Sequence, residues 1–237
     1  MTLPPPRRVY RSACAGFTPE GFAVLLDGRP VRTPAGHPLR VPGRDLAEAL
    51  AAEWDAQGDT IRPSTMPLTQ LVSTAIDRVG PERPTIHRFL LASAGTDLLC
   101  YRNDHPADLR LRQECHWQPL LDWAAEALNA PLQVTAGLLA VSQPAEALAA
   151  LSARLEAQDV WRLTAIQSVT AATGSLLVAF ALAEGRIDAT TAWAVSLLDE
   201  TYQIERWGED AEATVRRTTL EADIAAAARL LALAAVP

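Results

Sequence analysis

The chain has 237 residues, 49% of them hydrophobic and 21% charged, with a formal net charge of −7; that length buries a core of one large domain or two small ones. It contains no lysine, so every basic side chain is an arginine, and the clustered basic stripe that nucleic-acid backbones require is absent. Cys14, Cys100 and Cys115 are odd in number and widely spaced, which fits neither a secreted disulfide framework nor a zinc site and points to a reducing compartment.

The first residues, "MTLPPPRRVYRSACAG", hold no apolar run that could act as a signal peptide and are too short for a transit segment, and no stretch reaches the roughly 20 apolar residues that span a bilayer. A cytoplasmic protein is expected, with neither nucleic acid nor membrane insertion. In "FAVLLDGRPVRTPAGHPLRVP", Asp27-Gly28 is a type I′ hairpin signal, because both turn residues need positive φ, and "PAGHP" makes a second turn; a three-strand meander is expected. "GRDLAEALAAEWDAQGD" follows as a helix with Leu46, Ala49, Leu50 and Trp54 on its apolar face and Gly58 as its C-cap. "MPLTQLVSTAIDRVG" and "PERPTIHRFLLASAG" read as two further helices and "TDLLCYR" as a short strand.

From about Pro106 helical periodicity dominates, through "LRLRQECHWQPLLDWAAEAL", "PAEALAALSARLEAQ", "VWRLTAIQSVTAATGSLLVAFALAEG", "ATTAWAVSLLDETYQIERWG" and "EDAEATVRRTTLEADIAAAARLLALAA", interrupted only by "LQVTAGLLAVSQ". The expected fold class is α+β: a small amino-terminal domain, residues 1–105, with an antiparallel sheet plus helices, then an all-helical carboxy-terminal domain, residues 106–237.

The common catalytic signatures are missing: no phosphate-cradling loop, no GxGxxG after a strand, no HExxH and no GxSxG. Cys115 and His116 are neighbours on a helix, so their side chains point about 100° apart and do not face each other. His37, His87, His105 and His116 are scattered and suggest no metal constellation. Gly174 and Ser175 lie in an apolar run, where close helix packing is a simpler account of the glycine than an exposed nucleophile is of the serine.

The last informative stretch is "DETYQIERWGEDAEATVRR". Trp193, Leu197, Thr201, Ile204, Gly208, Ala211 and Val215 form one stripe if the helix is continuous. Gly208 either admits a neighbouring backbone or ends one helix before the next; the second version is preferred, with "EDAEA" placing acids in the new first turn. Arg206 and Arg216 are spaced for pairing to Asp210 and Glu212. Glu200, bordered by Tyr202 and Trp207, is a plausible anchor for a partner's arginine or backbone amides.

"DGRPVRTPAGHPL", "EWDAQGDTIRPSTMPLTQLVSTAID", "AGTDLLCYR", "WQPLLDWA", "TGSLLVAFAL" and "DETYQIERWGEDAEA", in this order over nearly the whole chain, resemble the Atp-twelve family, assembly chaperones of the F-type ATP synthase. The resemblance implies a non-enzymatic protein without cofactors that binds the newly made α subunit of the catalytic head and shields it until β takes its place. It implies an α+β domain joined to a helical one, and a bacterial member, since the chain starts at Met1 with no transit segment. Carried over by position, Glu53-Trp54 matches the family's Glu-Trp step, with Trp54 in the core, and partner contact falls to Asp199, Glu200, Tyr202, Gln203 and Trp207. Gly28, Gly174 and Gly208 have structural roles, and the free protein is expected to be monomeric. The competing expectations are an enzyme using Cys115, Ser175 or paired acids in a cleft between the lobes, and a structural subunit that stays in the finished assembly.

Overall fold

The Asp27-Gly28 turn organises the first part of the chain. In the computed structural model, which describes residues 6–19, 21–136, 141–208 and 210–234, Asp27 and Gly28 have φ of 46° and 81°, the left-handed pair that a type I′ turn demands. The conformation costs Asp27 more than glycine. Its carboxylate offsets this by accepting from the Arg11 N–H (3.0 Å) and the Ser12 N–H (3.0 Å), and those bonds, Arg11's first, hold it below the usual carboxylate range.

The turn joins β2 (Gly21–Leu26) to β3 (Arg29–Pro30). β4 (Arg40–Val41) then pairs with β2, Phe22 opposite Val41, and not with β3 as a simple meander would have it. Prolines at 30, 34 and 38 remove donors from this stretch, so β3 stops after two residues and only an Arg32–Pro38 bridge links the limbs of the second turn. A further strand, β1 (Ala13–Thr18), pairs antiparallel with β2 along its whole length. A Cβ on Gly16 of β1 would lie 2.4 Å from Leu25 Cδ1, so Leu25 occupies the space that any larger residue would need.

Helix α1 (Arg44–Asp55) packs on β1 and β2 with Leu46, Ala49 and Leu50 buried, as its periodicity predicts. The helix closes on Ala56 as its C-cap, before the expected Gly58. Trp54 is only half-buried, its ring edge-to-face with Tyr10 at 6.0 Å. The wholly interior member of the Glu-Trp step is Glu53. Its carboxylate accepts from the Leu68 N–H, the Thr69 N–H and the Thr69 hydroxyl, each at 2.8 Å. These amides open α2 (Pro67–Thr74), whose N-cap residue, Met66, has no side-chain acceptor. Glu53 therefore supplies from a neighbouring helix the anionic cap that α2 lacks.

α2 runs on as a π-helical turn, Ala75–Val79. From it Asp77 reaches the Thr33 hydroxyl (2.6 Å), the Ala35 N–H (3.0 Å) and His37 Nδ1 (2.8 Å), tying down the turn between β3 and β4. Burial pushes the Asp77 carboxyl up, but the bonds from Thr33, His37 and Ala35 outweigh it and leave its pKa lowered.

By its internal contacts the chain forms two compact units, one of residues 1–83 with 160–164 and 229–237, the other of residues 84–159 with 165–228. The second holds α3 (Arg83–Gly95), α4 (Ala107–Ala127), α5 (Ala145–Glu156), α7 (Leu176–Ala183), α8 (Ala189–Ser196) and α9 (Leu198–Trp207), with most of α6 (Val160–Thr173) and α10 (Ala211–Ala234). It is not wholly helical: β5 (Tyr101–Arg102) pairs in parallel with β6 (Thr135–Ala136). Among the described residues no helix is long and apolar enough to cross a membrane.

Leu176 to Leu182 of α7 are all buried, the mark of a central core helix. The single helix expected over 160–185 breaks at Gly174, whose φ is 71° and whose missing Cβ would meet nothing within 4 Å. Gly174 thus stops a helix by its backbone conformation; it does not admit a close neighbour. Ser175 starts the next helix, accepting from the Val178 N–H (3.0 Å) and donating to Asp97 Oδ1 (2.7 Å). Asp97 also accepts from the N–H groups of Leu177 and Leu99, each at 3.1 Å, and is fully buried. Burial drives its pKa up to about 6 against the opposing bonds from Ser175, Leu177, Leu99 and Leu176.

Two outcomes follow for stability. Glu53→Ala strips three donors of a charged acceptor and should cost about 3 kcal/mol, read as a lower urea midpoint, with Glu53→Gln losing about half as much. A carboxyl whose pKa is higher folded than unfolded binds its proton more tightly in the folded state. Asp97 therefore stabilises most below about pH 4, and its contribution falls by on the order of 3 kcal/mol to a plateau above about pH 6. Wild type minus Asp97→Asn stability, measured across that range, should show this decline.

Candidate functional site

The stretch expected to hold the partner-binding residues is not one helix. α8 starts under an Asp188 cap that accepts from the Thr191 N–H (2.7 Å) and ends at Ser196, and Leu197 turns the chain into α9. Trp117, 1% exposed on α4, marks the break by donating its indole N–H to the Val195 carbonyl (2.8 Å), one of the acceptors a helix end leaves open.

α9 lies antiparallel along α4, as the matched pairs show. Gln113 Nε2 donates to Asp199 Oδ1 (2.8 Å), Arg112 pairs with Glu205 (2.7 Å), and Tyr202 and Arg206 both bond Asp108, the tyrosine hydroxyl at 2.7 Å. Tyr202 is buried, with the guanidinium of Arg206 3.5 Å and that of Arg112 5.3 Å from its ring centre. Burial, then the bond to Asp108, raises the Tyr202 pKa, and the Tyr202 hydroxyl is the first of the bonds that lower that of Asp108. Asp199 turns inward; its burial raises its pKa despite the Gln113 bond and the charge of Arg102.

Glu200 faces the start of α10. It pairs with Arg216 through Oε2, while Oε1 lies 3.7 Å from Arg217 without a hydrogen-bond partner. Arg217 is itself largely covered: its guanidinium lies 5.0 Å from the Trp193 ring and bonds Thr201 Oγ1 (3.2 Å). The expected pairs Arg206–Asp210 and Arg216–Glu212 give way to Arg206–Asp108 and Arg216–Glu200. The physical reason is Gly208. With φ of 86° it ends α9, and Asp210 is drawn off to cap α10 through the Ala213 N–H (2.8 Å).

Of the five candidates, then, Asp199 and Tyr202 are committed inward, Glu200 is half-buried and paired, and only Gln203 and Trp207 face solvent. Trp207 is 76% exposed. With Ile204, Gln203, Glu200, Gly208, Asp210 and Arg216 it borders a hollow of about 390 Å³. Sequence reasoning missed the α4 residues Asp108, Arg112 and Gln113 that position this helix. Their signal was a polar face on α4 whose charges complement those of α9 in reverse order.

The other chemical candidates do not converge. Cys115 is exposed, whereas Ser175 is buried with its hydroxyl given to Asp97. His37 is bonded to Asp77 and His87 to Ser152. Among the described residues no group of His, Cys, Asp and Glu could hold a metal ion.

A family model described as ATP12 chaperone protein matches residues 7–125. The chain belongs to the ATP12 chaperone family. The mitochondrial protein atp12 of Schizosaccharomyces pombe is 29% identical over 225 residues, covering 88% of this chain and 77% of that protein. The crystal structure of Atp12 from Paracoccus denitrificans is 41% identical and superposes with a TM-score of 0.92 over 97% of this chain and 99% of that one. The Atu1473 protein of Agrobacterium tumefaciens is 40% identical, with a TM-score of 0.92 over 96% and 86% of the two chains. The family model ends within α4, while the likeness to the two crystal structures spans the ATP12 fold through α9 and α10.

Arg217 is the joint between α8, α9 and the first turns of α10. In Arg217→Ala, amide exchange over residues 211–220 should quicken at least tenfold while residues 13–41 keep their protection; unchanged exchange in α10 would show that the joint lies elsewhere.

Proposed function

We propose that this ATP12-family chain is an assembly chaperone of the F-type ATP synthase, which binds the free α subunit of the catalytic head and keeps it from aggregating until β pairs with it. It does so in the bacterial cytoplasm, as a monomer when free and without catalysis of its own. Family membership supports the chaperone role. The observation that carries the site is the exposure of Trp207 on a helix whose other faces are fixed by α4 and α10. A solvent-facing tryptophan beside an exposed glutamine, on a helix held by its neighbours, is the kind of anchor that carries protein–protein binding energy. Asp199, Glu200 and Tyr202 belong to the same site as the groups that hold the helix, with Glu200 at the rim of the hollow.

The test is refolding of the isolated α subunit with an equimolar amount of this protein, followed by light scattering and size-exclusion chromatography. Suppressed aggregation and a co-eluting complex that β displaces are expected. Trp207→Ala, which removes no buried contact, should weaken capture at least tenfold and leave the melting temperature within about 2 °C of wild type. Glu200→Lys should also weaken capture, and it should loosen the start of α10 because it sets a cation against Arg216 and Arg217. Full capture by a folded Trp207→Ala protein would remove α9 as the client surface.

A further inference from the structure

Trp207 is the last residue of α9, and its indole makes no hydrogen bond, ion pair or ring contact among the described residues. The direction of the indole is therefore set by the backbone of the last turn, which the Gly208 N–H closes on the Ile204 carbonyl (2.9 Å). A helix end frays when only its own hydrogen bonds hold it, and at Gly208, with φ of 86°, the chain leaves the helix. What steadies this turn comes from its side chains.

Two ties reach it from α4. Glu205 pairs with Arg112 (2.7 Å), but the two side chains are 45% and 42% exposed, and an ion pair between groups so open to water contributes little. The second tie is built differently. Arg206 pairs with Asp108 while its guanidinium lies 3.5 Å from the centre of the Tyr202 ring, so charge holds it on one side and a ring face on another. Tyr202, 2% exposed, donates its hydroxyl to the same Asp108 (2.7 Å). Asp108 also accepts from the Leu109 N–H (3.1 Å) in the first turn of α4, where the N-cap residue Pro106 supplies no side-chain acceptor. One carboxylate thus gathers residues 202 and 206, neighbours on one face of α9, and is itself held by an amide that a helix start leaves open.

We propose that Asp108 is a positioning residue for client capture: from α4, without touching the client, it keeps the last turn of α9 wound so that Trp207 is already placed when the client arrives. This rests on the reading of α9 as the client surface. A client that meets a placed indole does not have to order it on contact. Removing the clasp lowers the fraction of molecules ready to bind, which slows association and leaves dissociation alone.

The experiment follows association and dissociation of refolded α subunit on the immobilised full chain, for wild type, Asp108→Ala, Trp207→Ala and the double variant. Circular dichroism and the urea midpoint establish that each is folded. Asp108→Ala should slow association about threefold or more with dissociation unchanged, and in the Trp207→Ala background the same substitution should change neither. If Asp108→Ala does not fold, Arg206→Ala, which cuts the clasp from the α9 side, takes its place with the same expectation. Unchanged association, or a loss of equal size with and without Trp207, would overturn the proposal. So would faster dissociation at unchanged association, the mark of a side chain that touches the client. Full capture by Trp207→Ala would overturn the α9 reading and the proposal with it, whereas weakened capture by Trp207→Ala beside wild-type kinetics for Asp108→Ala would overturn the proposal alone.

Discussion

Two carboxylates taken out of water hold this fold together, each at the start of a helix that is not its own. A helix begins with amides that have no internal partner, and a buried carboxylate needs donors; joining the two satisfies the amides and offsets part of the cost of burying the carboxylate. Glu53 on α1 closes the start of α2, and Asp97, ahead of β5, closes the start of α7 through Ser175 and Leu177. In the first case the contact fixes α1 against α2. In the second it ties residues 97–99 to the most deeply buried helix of the second unit. The α4–α9 pairing that presents Trp207 is built within that same unit.

The periodic features could be read directly. The Asp27-Gly28 hairpin, the apolar stripe of α1 and the helical run from about residue 106 follow from turn chemistry and spacing. β1 could not, because Ala-Cys-Ala-Gly has no strand propensity of its own and becomes a strand by lying against β2. The breaks at Gly174 and Leu197 were hidden inside strongly helical composition; at Gly174 the apolar run goes on while the backbone turns. The composition changes near residue 105 because secondary-structure content changes there, whereas contacts group the chain differently and return residues 160–164 and 229–237 to the first unit.

For the candidate site the sequence located the helix but not the state of its side chains. Glu200 reads as an acid free for a partner, yet its neighbours in space are Arg216 and Arg217, sixteen and seventeen residues on. Such pairs form because Gly208 reverses the chain, and i,i+4 spacing cannot foresee them. The same reversal leaves Trp207 at the outer end of α9 with nothing packed over it. Burial separates residues that shape the surface, such as Tyr202, from those that form it, such as Trp207, and burial is a property of the fold and not of the local pattern.

Five arginines of this protein lay their guanidinium groups over aromatic rings: Arg8 on Tyr10, Arg102 on Trp117, Arg206 and Arg112 on Tyr202, and Arg217 on Trp193. A planar, delocalised cation can stack in this way and still hydrogen-bond at its rim, which an ammonium group does less well. With no lysine in the sequence, the chain offers acylating reagents no side-chain amine. In a mixture with a lysine-containing client, amine-directed labels would mark the client's side chains alone, so that lysines shielded by complex formation would map the client's half of the interface without any contribution from the chaperone's own side chains.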